Sequence, residues 1–139
     1  MGWYYEDFEP GRVIETPGRT VTEADIGAFA GLSGDFNPLH TDEVFTTKIA
    51  GYPSVFAHGM LSMGLTGTLL TDALGNGTLR TFGVRFRSQV WPGDTLTATA
   101  TITEVTKQDN ETLVALEVET VNQKGEVVVS GTATAALPS

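Results

Sequence analysis

The stretch Ser33–His40, SGDFNPLH, gathers a carboxylate (Asp35), an amide (Asn37) and an imidazole (His40) around an Asn-Pro step. The proline favours a turn and keeps Asn37 out of helical backbone geometry. A turn there can bring the side chains of Asp35 and His40 to one side. A carboxylate beside an imidazole fixes the tautomer of the ring, and two proton-transfer groups a few ångströms apart can hold and activate one water. Asn37 has donors and an acceptor with which to orient either partner. The same residue types also suit a plain turn, in which His40 merely serves a carbonyl.

A second feature lies downstream. In FAHGM, His58 and Gly59 open a long apolar stretch. A helix start carries unpaired N–H groups and a partial positive charge. A glycine there lets a ligand oxygen come close to the backbone, as an oxyanion site for a carbonyl becoming an enolate requires. Close helix–sheet packing would explain Gly59 equally well, and a bond to nearby backbone would explain His58. Asp35, His40, Asp42 and His58 are metal-ligand types. They lack a tight spacing such as HxxxH, and the two histidines fall on different elements, so no metal is expected. GNG at Gly75–Gly77 has neither the lysine nor the helix of a phosphate loop and reads as a turn. No serine sits in a GxSxG setting.

These residues need a scaffold, and 139 residues suit a single domain, 1–139, with 40% hydrophobic residues to build its core. No segment is apolar enough for a membrane span, and the start MGWYYEDFEPG lacks the basic lead of a signal peptide. With no cysteine, disulfides and thiolate chemistry are excluded, and a cytoplasmic location is the default. Eight basic against seventeen acidic residues give a charge of −9, which argues against nucleic acid as a partner.

The chain changes character midway. RVIETPGRTVT suggests a first strand. In GRTVTEADIGAFAGLSG, Thr22 and Asp25 have the spacing of a capping box; Ile26, Phe29 and Ala30 share a helical face, and Gly34 is placed to stop the helix. DFNPLHTDEVFTTKIAGYP connects, with a short helix expected after Thr41 or Asp42. AHGMLSMGLTGTLLTDALGNG suits four to five helical turns and is apolar or small nearly all round, so a buried helix is expected. From Thr78 onward, four alternating segments separated by PGD, QDNE and QKGE read as antiparallel strands. The order predicts an α+β fold with an antiparallel sheet wrapped around a long helix. A small sheet with open edges suggests dimerisation.

LSGDFNPLH followed by AHGM at the head of an apolar helix resembles the MaoC-like dehydratases, and among them the (R)-specific enoyl-CoA hydratases. The resemblance extends through VRFRSQVWPGDTL and the closing TATAAL. It implies a hot dog fold, a homodimer, and reversible addition of water to a trans-2-enoyl-CoA to give the (R)-3-hydroxyacyl-CoA. On this resemblance Asp35 and His40 are the catalytic pair, Asn37 supports them, and the Gly59 N–H polarises the thioester carbonyl. No cofactor is implied, CoA being part of the substrate. Gly64 and Gly67, three apart on the helix, could leave room for an acyl chain, or simply pack on the sheet. Arg85 and Arg87 alternate along a strand and are candidates for the CoA phosphates, with a solvated outer face as the alternative; His58 is grouped with them on the substrate side. A hot dog thioesterase would need no Asp–Asn–His turn, a non-catalytic acyl-thioester-binding protein would not need Asp35 and His40, and the acidity of the chain leans towards CoA over an acidic carrier protein.

Overall fold

A computed structural model describes residues 8–75 and 77–138. The aromatic start up to residue 7 lies outside them, as does Asn76 of the GNG turn. Phe8, the first described residue, is buried in the core. Strands β1 (Val13–Glu15) and β2 (Arg19–Thr20) come first, then helix α1 (Glu23–Ser33). A short helix α2 (Pro38–Thr41) and a π-helical turn (Phe45–Ile49) lead to the long helix α3 (Gly59–Leu74). Four strands complete the chain: β3 (Thr78–Phe86), β4 (Thr95–Lys107), β5 (Glu111–Val121) and β6 (Val127–Pro138).

The sheet is antiparallel, in the order β1-β4-β5-β6-β3, with β2 also pairing β4. Alternation, broken by register shifts at Leu79/Thr81, Ile102/Glu104 and Thr120/Val121, decides its two faces. Ala98, Ala100, Ile102, Val114, Leu116, Val118, Ala133 and Ala135 turn inward and pack with Leu69, Leu70, Ala73 and Leu74 of α3. A second cluster joins Ile26 of α1 to Val21, Val90, Leu96 and Val128. Alanines of β4 and β6 flank Val114, Leu116 and Val118 of the central strand β5, so the sheet can curl closely around the helix. This is the hot dog arrangement.

Gly131 marks where that closeness is tightest. A Cβ there would fall on the carbonyl oxygen of Gly83 and lie 2.8 Å from the Val84 Cα, both on the paired strand β3. Between α3 and the sheet, the Thr66 hydroxyl donates to the Ser62 carbonyl and therefore accepts from the Thr120 hydroxyl, at 2.6 Å, with both threonines buried.

The expected capping box is present. Thr22 Oγ1 accepts from the Asp25 N–H, and Asp25 accepts from the Thr22 N–H at 2.9 Å. Gly34 ends α1 at φ +78°, in the left-handed region that favours glycine. The short helix expected after Asp42 is present: residues 43–49 are helical and end in the π-helical turn, with Asp42 Oδ1 accepting the Phe45 N–H. A further one-turn helix starts at Pro38, where proline's fixed φ suits the first helical position and Asn37 caps it. One expectation needs correction: α3 is not buried all round, since Met60, Gly64, Thr68, Thr71 and Asp72 form an exposed stripe. The sheet covers only one side of the helix.

Two outcomes follow. Gly131→Ala forces β3 and β6 apart and should lower unfolding free energy by about 3 kcal/mol, measured by urea titration. The Asp25 carboxyl lies below its usual range, chiefly because it accepts the Thr22 backbone N–H. A depressed carboxylate favours the folded state near neutral pH and loses that effect as pH falls through the carboxylate range. The stability difference between wild type and Asp25→Asn should therefore shrink on acidification.

Candidate active site

Three local devices shape the segment that carries Asp35 and His40. The Ser33 hydroxyl donates to the Phe29 carbonyl and accepts the Asp35 N–H, joining the segment to the end of α1. Asp35 Oδ1 accepts the Asn37 N–H at 3.2 Å, an Asx turn. Asn37 Oδ1 accepts the Leu39 N–H at 3.0 Å and so caps α2, whose third residue is His40. Asn37 thus sets the geometry of the pair through the backbone; its recorded side-chain bond goes to neither Asp35 nor His40.

Three bonds then clasp this segment to the strand-like stretch before α3. The Phe56 N–H donates to the Leu39 carbonyl at 3.2 Å. His40 Nδ1 lies 2.6 Å from the Phe56 carbonyl, and His58 Nε2 lies 2.9 Å from the Asp35 carbonyl. A carbonyl can only accept, so both of these ring nitrogens carry hydrogen. In the neutral ring the opposite nitrogen of each must then be an acceptor. For His40 that acceptor is Nε2. Glu43 adds a further tie by accepting the Val55 N–H.

His58 is 2% exposed and lies directly against His40, with ring centroids 3.9 Å apart and planes 26° from parallel. Phe29 packs on it at 4.9 Å. Its Nδ1 is buried with no hydrogen-bond partner among the described residues. Asp35, His40 and His58 each offer an atom within 4.8 Å of the others, a spacing that would also suit a metal. The stacked rings argue against chelation. Their lone pairs lie in nearly parallel planes, whereas a bound zinc would need both at about 2.0–2.1 Å.

Gly59 is the first residue of α3, and no side chain caps that helix. Its first N–H groups are therefore available to a ligand. A groove of about 260 Å³ is lined by His40, Phe56, Ala57, Gly59, Phe86 and Arg87, among others. The Phe86 ring lies 3.1 Å from where a Gly59 Cβ would be. Phe86 and Met60 are half exposed beside it, and Trp91 packs edge-on against Phe56, as a packing residue should.

The other candidates are more dispersed. Gly64 faces open space on the uncovered side of α3, and Gly67 packs against Phe82 at 3.3 Å. Arg85 projects from the outer face of the sheet, among Thr99, Glu117 and Glu119. Arg87 lines both the outer face and the groove, with Nε bonded to the Ser130 hydroxyl. Sequence reasoning missed the Phe56 carbonyl, Glu43 and Phe29. A backbone acceptor leaves no mark in the residue type, and the other two become legible only once the chain segments meet.

If the His58 bond to Asp35 positions the loop, His58→Phe should lower stability by about 1–2 kcal/mol and reduce turnover more than substrate affinity. His58→Gln, which keeps a donor, should recover part of both. Denaturant melts and steady-state kinetics on the two variants check this.

Comparison with known proteins agrees with the geometry. The family model described as "MaoC like domain" matches residues 7–124. An (R)-specific enoyl-CoA hydratase of Rhodospirillum rubrum is 36% identical, over 98% of this chain and 92% of its own length. The (R)-specific enoyl-CoA hydratase of Aeromonas caviae is 34% identical, over 83% of this chain and 85% of its own. The solved structure of an (R)-hydratase from A. caviae superposes with a TM-score of 0.84 at 30% identity, covering 96% of this chain and 99% of that one. Fold, site geometry and sequence together place this chain in the MaoC-like dehydratase family.

Proposed function

We propose that this protein is a hydratase and dehydratase of enoyl-CoA thioesters, acting as a single hot dog domain with Asp35 and His40 as its catalytic pair. The observation that carries the reading is the orientation of His40. Its Nδ1–H is committed to the Phe56 carbonyl. Its Nε2 is left as an acceptor, with the Asp35 carboxylate close by. A water between two acceptors donates both of its hydrogens and is left with lone pairs to offer an electrophile. That is what attack on C3 of an enoyl thioester requires.

The thioester carbonyl is placed at the Gly59 N–H, where charge gathers as oxygen adds to C3. The uncapped start of α3 stabilises that charge, an effect worth about 3 kcal/mol in comparable oxyanion sites. The proton taken from water at the Asp35–His40 pair is returned to C2 on the same face, so nothing is consumed beyond water and thioester. The (R) product follows from the likeness to the (R)-specific hydratases. No cofactor is needed, because CoA arrives with the substrate. Arg87, on the groove wall, is placed to meet a CoA phosphate.

A homodimer completes the reading. Strand β3 ends the sheet and pairs only with β6 among the described strands, leaving a nine-residue edge open. Exposed Phe36, Met60 and Phe86 would be covered by a second copy joined at that edge. The acyl chain would then run over Gly64 on the uncovered side of α3. No described helix is long and apolar enough to cross a membrane.

The test follows the ultraviolet band of the conjugated thioester after addition of crotonyl-CoA. Wild type should bleach it. Asp35→Asn and His40→Gln should each slow the loss by about a hundredfold or more while remaining folded. Release of free thiol in place of hydration would mean a thioesterase. Binding of the thioester with no reaction in any form would mean a non-catalytic acyl binder.

A further inference from the structure

The outer face of the sheet carries a shallow, polar hollow of about 660 Å³, on the side away from α3 and the candidate active site. Its charged residues are Arg85, Arg87, Glu117 and Glu119. Two basic and two acidic groups leave this patch neutral (2 − 2 = 0), in a chain whose total is −9. Arg85, Glu117 and Glu119 make no side-chain hydrogen bond or ion pair among the described residues, although the face is crowded with polar groups. Apart from Val84 and Val118, the rest of the lining is small: Gly83, Thr99, Thr101, Ser130, Gly131 and Thr132.

The register of the strands gives this pattern a symmetry. Arg85 pairs with Ser130, Ser130 with Glu119, and Glu119 with Thr99, so these four lie in one row across the sheet. In the next row Gly83 pairs with Thr132, Thr132 with Glu117, and Glu117 with Thr101. Strand β6 is the midline. One strand spacing to one side, about 4.8 Å, stands Arg85; one spacing to the other stands Glu119. A two-fold axis laid along β6, just above the outer face, turns a second copy face to face with the first. It carries the β3 side of one copy over the β5 side of the other while keeping each row at its own height. Arg85 of each copy then stands over Glu119 of the other. The side chain above Glu117 is the absent one of Gly83, and in these two rows the midline carries the small Ser130 and Thr132. Interfaces of this isologous kind need a surface that complements itself.

We propose that the outer sheet face is an interface between two copies of this chain, held by reciprocal Arg85–Glu119 pairs about an axis along β6. It is separate from the edge of β3 and independent of the catalytic reading. If both contacts form, the assembly has four chains.

Light scattering after gel filtration tests it, on wild type, Arg85→Glu, Glu119→Arg, and the doubly reversed Arg85→Glu/Glu119→Arg. Far-UV circular dichroism checks folding. Each single reversal places like charges opposite one another and should halve the wild-type mass; the double reversal restores opposite charges and should restore it. Rising salt should shift wild type towards the halved mass. Thr132→Trp, which changes no charge but fills the midline, should halve the mass too. The proposal is overturned if wild type and the single variants have the same mass at low salt across a dilution series, or if the double reversal stays at the lower mass. The lower mass itself reads the β3 edge separately: two chains mean that edge pairs, one chain means that it does not.

Discussion

The site depends on a clasp between two segments that are far apart in sequence. The loop after α1 has no regular partner of its own. It is held because Leu39, His40 and Asp35 bond in turn to the backbone of Phe56, the carbonyl of Phe56, and the ring of His58. The second segment is itself fixed, since the Ala57 N–H donates to the Val90 carbonyl and the sheet follows directly from there. Without the clasp, the short helix α2 would be one turn of chain at the surface, too short to hold its shape unaided. With it, the direction of the His40 ring is set by a carbonyl, and the same bond selects the tautomer. Geometry and protonation are fixed together.

His58 shows how a buried polar group can serve a neighbour. It spends one ring nitrogen on the Asp35 carbonyl and leaves the other unpartnered in the interior. An orphaned buried acceptor carries a desolvation cost. What that ring supplies is a flat, rigid backing for His40 and an anchor for the peptide of Asp35. Phe29, from α1, closes the far side of the ring. Three elements therefore converge on one imidazole, and the pair in front of it inherits their rigidity.

Much of this was legible in the sequence, and the limits of legibility have physical causes. Thr22, Asp25 and Gly34 state the ends of α1 in local chemistry, and local chemistry is what a linear pattern records. The alternation in β4, β5 and β6 revealed the sheet for the same reason. The exposed stripe on α3 was not legible, because Met60, Gly64 and Thr68 are apolar or small, like the residues on its buried side; what differs is the neighbour, which a single strip of sequence does not contain. The short helix after Asp42 was legible, but the extra turn at Pro38 was not, because proline is read first as a breaker, although at the first helical position its missing N–H costs nothing. For Arg85 and Arg87 the alternation was real, but the side of the sheet each would reach depended on where β3 ends. Arg87, past that end, reaches both faces.

The Thr66–Thr120 hydroxyl pair has a consequence for the depth at which the long helix lies. Where the helix lies on Ala98, Ala100, Ala133 and Ala135, the floor offers few knobs to resist travel along its own axis. Dispersion contacts of that kind change little when such a helix advances by a fraction of a turn. A hydrogen bond at 2.6 Å, sealed from water, does change, since a small slip would leave the buried Thr120 hydroxyl without its acceptor. The pair works as a detent between helix and sheet. It lies seven residues along from Gly59, so it decides from about 10 Å away where the first amide of the helix stops beneath Phe86.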